Sequence, residues 1–87
     1  MDKIYKYKVS RASEFVSLPK GAEVLTFGDQ KGEIYLWARV DPDAEIETRR
    51  FTVVGTGHDM ESGNLEYINT IFVAGFVFHA FEVKSLK

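Results

Sequence analysis

The sequence predicts an all-β protein. It reads as one small domain over residues 1–87, a β-sandwich or partly open barrel of about seven short antiparallel strands with at most one short helical turn. Three observations carry this. Strand-like segments recur at roughly 8–12-residue spacing. Turn residues separate them, as in Pro19-Lys20-Gly21, Asp41-Pro42-Asp43 and Ser62-Gly63-Asn64. No stretch shows a full amphipathic helical period.

Lys3–Val9 alternates. Tyr5, Tyr7 and Val9 share one face, and Lys6 and Lys8 the other, the pattern of a half-buried strand whose lysines protect a sheet edge. Residues 10–13 read as a loop. Glu14–Leu18 is a short strand closed by Pro19-Lys20-Gly21, where proline fixes φ and glycine is free to turn. Ala22–Phe27 is the next strand, and Gly28–Gly32 reads as a hairpin-type loop.

Glu33–Val40 is the strongest strand. Ile34, Leu36, Ala38 and Val40 form an unbroken apolar face, with Tyr35, Trp37 and Arg39 opposite. Two rings on that second face have two readings. They pack on another sheet or subunit, or they form a platform for a flat ligand with Arg39 supplying charge. Asp41, Asp43, Glu45 and Glu47 lack the glycine and the terminal glutamate of a calcium loop and read as a solvated acidic turn.

Ile46–Val54 follows. Arg49 and Arg50 are neighbours, so they point to opposite faces, and the one facing inward needs a partner. Gly55-Thr56-Gly57-His58 then breaks the strand and offers amides, a hydroxyl and an imidazole within four residues, a corner suited to a phosphate or carboxylate. It is neither a Walker loop nor a dinucleotide fingerprint. Asp59–Tyr67 is polar and turn-rich, with room for a short helical turn. Ile68–Ala74 is a strand that Gly75 interrupts as a tight turn or a bulge. Phe76–Lys84 is apolar on both faces, which places it centrally or at an interface. His79 lies on one of those faces and reads as a hydrogen-bonded core or interface histidine.

Composition narrows the function classes. Formal net charge is −2, from 11 basic and 13 acidic residues, which argues against general nucleic-acid binding. There is no cysteine, so no disulfide framework and no thiolate metal site. No apolar run approaches the ~18 residues of a membrane span, and the N-terminus lacks a signal-peptide core. A cytoplasmic protein is expected. A core of this size leaves a thin stability margin, so a homo-oligomer is expected too. No nucleophile elbow or paired-histidine metal spacing occurs, so the chain reads as a non-enzyme without a cofactor.

The segments K-I-Y-K-Y, L-P-K-G-A, L-W-A-R-V-D-P-D-A and F-x-V-V-G-T-G-H resemble a family of small uncharacterised proteins encoded by phages, prophages and bacteria, and the similarity covers the chain from Ile4 to about Phe81. Gly55, Thr56, Gly57 and His58 match its most recognisable segment, and Asp59 departs from the proline-containing version. The resemblance implies a phage or prophage setting and transfers no activity.

Two functional expectations follow. In the first, an accessory, anti-defence protein of the host bacterial cytoplasm oligomerises and sequesters a small anionic or nucleotide-like immune signal. Tyr35 or Trp37 stacks the base, Arg39, Arg49 or Arg50 pairs the phosphate, and Thr56, Gly57 and His58 complete the site. In the second, the chain is a proteinaceous inhibitor. It blocks a host defence protein through a strand edge or an aromatic face, with no small ligand.

Overall fold

The computed structural model describes residues 1–10 and 14–85. The sequence-predicted loop at 10–13 lies outside the described residues apart from Ser10. Seven strands form, β1 Lys3–Val9, β2 Glu14–Pro19, β3 Glu23–Gln30, β4 Glu33–Val40, β5 Ile46–Gly55, β6 Asn64–Val73 and β7 Phe76–Ser85. They make a three-stranded sheet, β1-β4-β3, and a four-stranded sheet, β2-β5-β7-β6, with every pairing antiparallel. The shortest dimension is 15 Å, which suits two layers about 10 Å apart. This is the small β-sandwich the sequence predicts.

The apolar face of β4 is the floor of the core. Ile34, Leu36, Ala38 and Val40 are buried against Phe51, Val53, Ala80, Ile71 and Val73 of the second sheet. Phe27 from the first sheet meets Phe51 from the second with ring centroids 5.7 Å apart. Each such side chain, fully withdrawn from water, contributes about 2 kcal/mol.

Two boundaries differ from the sequence reading by more than one residue. β3 runs on through Gly28 and Asp29 to Gln30, so the hairpin turn is only Lys31-Gly32, both at positive φ (55° and 81°). The loop-like composition of 28–30 yields because pairing with Glu33–Tyr35 supplies the ladder. No helical turn forms among the described residues of Asp59–Tyr67. Asn64–Tyr67 instead extends β6, since Leu65, Glu66 and Tyr67 find partners in Val83, Glu82 and Phe81. Gly75 resolves as a tight turn, with Ala74 at φ 51° and Gly75 at 84°. β7 is central, as its two apolar faces predict.

β5 and β6 both run antiparallel to β7, which lies between them, so they are parallel to each other. The eight residues 56–63 must therefore travel the length of the sheet. They do so as a strap over its outer face, tied to outer-face residues at both ends. Thr56 bonds His79, and Glu61 reaches Arg50. Thr52, beneath the strap's path, is 5% exposed.

Candidate functional site

The glycine bend is where the strap leaves β5. Its amides are largely committed. Thr56 N donates to Val77 O, and His58 N donates to Gly55 O, both at 3.0 Å. Gly57 takes φ 85°, a conformation glycine adopts without a Cβ penalty. The His58 imidazole lies on the Gly55 backbone. A Cβ at Gly55 would stand 3.2 Å from His58 Nδ1. Gly55, Thr56, His58, Phe76, Val77 and Phe78 then enclose a cleft of about 270 Å³. Its walls are mostly rings and aliphatic carbon, so it suits an apolar group better than an anion.

Thr56 Oγ1 lies 2.8 Å from His79 Nε2, and His79 Nδ1 lies 3.0 Å from Thr70 Oγ1. Thr70 Oγ1 in turn lies 2.6 Å from the Tyr67 hydroxyl. The chain of groups satisfies His79, as its position on an apolar face predicts. A hydroxyl beside an imidazole has the outline of a nucleophile and base. Here the hydroxyl is also bonded to Val77 O, and no carboxylate orients the ring. The bend's Thr56 and His58 amides are bonded internally, so neither is spare for an oxyanion. The relay fastens the strap to β6 and β7.

The eight sequence-predicted residues occupy four separate places. Tyr35, Trp37 and Arg39 lie on the outer face of the first sheet, level with Lys8, Lys6 and Ile4 of β1. The ring centroids of Tyr35 and Trp37 are 6.0 Å apart. The indole covers Gly28, where a Cβ would stand 3.2 Å from Trp37 Cζ3. Lys6 Nζ sits 4.7 Å from the Tyr35 centroid. Arg39 pairs with Asp2 at 2.9 Å on the surface.

Arg49 faces inward at the other end of β5. It grips Glu82 through Nε at 2.8 Å and Nη2 at 2.9 Å, and Nη1 donates to Ala22 O at 2.6 Å. The Glu82 hydrogen bonds raise the guanidinium pKa further. Burial pushes the Glu82 carboxyl up, but the bonds and charge of Arg49, with Lys84 adding, outweigh it and hold the group below its usual range. Arg50 faces outward. It pairs with Glu61 at 2.8 Å and lies 5.9 Å from the Phe15 ring centroid. Arg50 precedes Gly55 by five strand residues, about 17 Å.

Thr56, Gly57 and His58 are thus together, but neither the arginines nor the β4 rings join them. Each guanidinium already has a carboxylate. The adjacency of Arg49 and Arg50 predicted opposite faces and a partner for the inward one, and both hold. The convergence on one anion pocket does not form, because β4 belongs to the other layer.

The residues the sequence reading missed are apolar and exposed. Phe72 is 72% exposed and stands beside Val77 at the cleft; Phe76, in the cleft wall, is 64% exposed. Phe72, Tyr67 on β6 and Phe15 on β2 are exposed on this sheet's outer face, whereas Phe76 stands level with the buried Val73 on the inward side. The one signal available was the double-sided apolar pattern of Phe76–Lys84.

A family model described as "Domain of unknown function (DUF7352)" matches residues 1–87. The chain belongs to this family. The match spans the whole sandwich, including the strap and its cleft. No curated protein and no solved structure matches the chain. No helix among the described residues is long and apolar enough to cross a membrane.

Proposed function

We infer that this DUF7352 chain is a non-catalytic protein-binding module. It covers a partner with the bend end of its four-stranded sheet and the adjoining outer face. The bend cleft, at the end of that sheet, takes an apolar anchor side chain; Phe76, level with the buried Val73, lines it from the inward side, and Phe72 flanks it on the outer face. One observation carries the reading: Arg39, Arg49 and Arg50 are all paired with carboxylates, while large rings stand exposed beside an apolar cleft. Interfaces draw most of their energy from such aromatic anchors in pockets. In the phage or prophage setting that the sequence resemblance implies, the partner is a host defence protein of the bacterial cytoplasm. The same apolar face is where a homo-oligomer would close.

A second reading, capture of a small anionic or nucleotide-like signal, is favoured by a different place. Lys6, Gln30, Lys31, Glu33 and Tyr35 line a recess on the first sheet, and Lys6 lies over the Tyr35 ring. Melting temperatures measured with cyclic and ADP-ribose-derived nucleotides separate the two. A ligand at ~100 times its Kd adds about 2.7 kcal/mol. The protein-binding reading expects no shift with any of them. It also expects Phe72→Ser/Phe76→Ser to keep the wild-type melting temperature yet lose protection in phage plating on a defence-bearing host. Retained protection would reject it.

A further inference from the structure

β1 is an open edge. It closes one side of the first sheet, and no described strand pairs with its far side. The other sheet margins are less available. β3 and β6, the edges of the two sheets on the opposite side, pack against each other and are joined through Asn69. β2 is shorter and ends on Pro19, which has no N–H to donate. β1 offers seven extended residues, and the second sheet leaves most of it uncovered. Ile4 is 62% exposed and Tyr5 40%. β1 and β2 touch only slightly.

Charge and alternation define what this edge accepts. Ile4, Lys6 and Lys8 share the outer face, and Tyr5 and Tyr7 the inner one. Lys8 meets Glu33 at 3.4 Å with both side chains more than half exposed. Lys6 leans on Gln30 and Tyr35. Such exposed contacts are screened by water, and an incoming carboxylate competes with them readily. Lys31, in the adjoining turn, is exposed as well. The result is a basic edge on a chain of net charge −2.

We propose that β1 receives an extended, acidic segment of a partner protein as a fourth strand of the first sheet. Carboxylates at alternate positions lie beside Lys6 and Lys8, and apolar or aromatic residues between them lie beside Tyr5 and Tyr7. Main-chain rungs give the affinity and the period of two gives the selectivity. Opposite charges across neighbouring strands stabilise, and like charges do not. That rule disfavours a second copy in the register of fullest overlap, because antiparallel pairing of β1 with β1 centred on Lys6, or on the adjoining Tyr7, sets lysine against lysine. This surface is separate from the apolar face of the other sheet.

The test titrates the full chain with peptides of about eight residues, followed by amide NMR. One peptide alternates Glu with Val or Tyr. A second carries Lys in place of each Glu, and a third is the Glu peptide N-methylated at alternate residues. The Glu peptide is expected to shift and protect the β1 amides, to bind about tenfold more tightly than the Lys peptide, and to bind poorly when N-methylated. Lys6→Glu/Lys8→Glu reverses the preference, and Lys6→Gln/Lys8→Gln flattens it. Absence of binding, equal binding of the Glu and Lys peptides, or shifts centred on Tyr67 and Phe72 would each overturn the proposal. The Phe72→Ser/Phe76→Ser experiment decides the apolar face independently of these results.

Discussion

The Asn69 carboxamide stands in for a strand backbone opposite Phe27. Its Oδ1 accepts from Phe27 N at 2.9 Å, and its Nδ2 donates to Phe27 O at 2.8 Å. Both sheets are irregular at this point: β3 shifts register between Val24 and Thr26, and β6 between Tyr67 and Asn69. The bulge turns Asn69 toward β3, and one side chain joins the two layers at their shared margin.

Asn69→Ala leaves the Phe27 amide and carbonyl without these partners in a partly buried position. The expected loss is about 2 kcal/mol, chiefly from the orphaned Phe27 N–H, since Phe27 O still accepts from Thr26 Oγ1 at 3.2 Å. Urea unfolding measures it. A loss under about 0.5 kcal/mol would show that the margin holds without the carboxamide.

The Arg49–Glu82 pair makes stability depend on pH in a defined direction. Glu82 has a depressed carboxyl pKa in the fold. Its contribution is therefore complete above the unfolded value of about 4.3 and is lost as pH falls through the folded value. Glu82→Gln leaves a partly buried guanidinium with only Ala22 O and the more distant Glu47, and is expected to cost about 2 kcal/mol at neutral pH. The gap between wild type and variant should close on acidification, because protonated Glu82 resembles the glutamine. A gap that stayed constant down to acid would remove the ion pair as its cause.

Ala74 sits at φ 51° in the two-residue turn between β6 and β7. Ordinary L-residues resist this conformation, and Asn-Gly is the pair such turns favour. Ala74→Asn should stabilise by about 0.5–1 kcal/mol and raise the melting temperature by about 4 °C. Lys31→Asn, at φ 55°, should act in the same direction.

Thr56→Val removes the hydroxyl that ties the strap to His79 and to Val77 O. The bonds are exposed, so the global cost should be about 1 kcal/mol. The larger effect is local. Hydrogen exchange of the amides at 58–62 should rise while those of Phe51 and Val53 stay protected. Unchanged exchange in the strap would mean that the main-chain bonds of Thr56 and His58, with the Glu61–Arg50 pair, anchor it without the hydroxyl.

Sequence alone determined which residues face inward along each strand, because the side-chain period in a strand is two whatever the strand pairs with. Ile34, Leu36, Ala38 and Val40 show this, as do the opposed Arg49 and Arg50. It also marked the turns at Pro19–Gly21 and Asp41–Asp43, where proline, glycine and aspartate act on their own backbone. Only the tertiary structure decided which strands share a sheet. That assignment puts Trp37 and Arg50 in different layers and gives Arg39, Arg49 and Arg50 their carboxylates. It also stretches 56–63 into a strap, because β5 and β6 end up parallel on either side of β7. Long-range pairing is set by the summed burial of whole faces, and no local run of residues carries that sum.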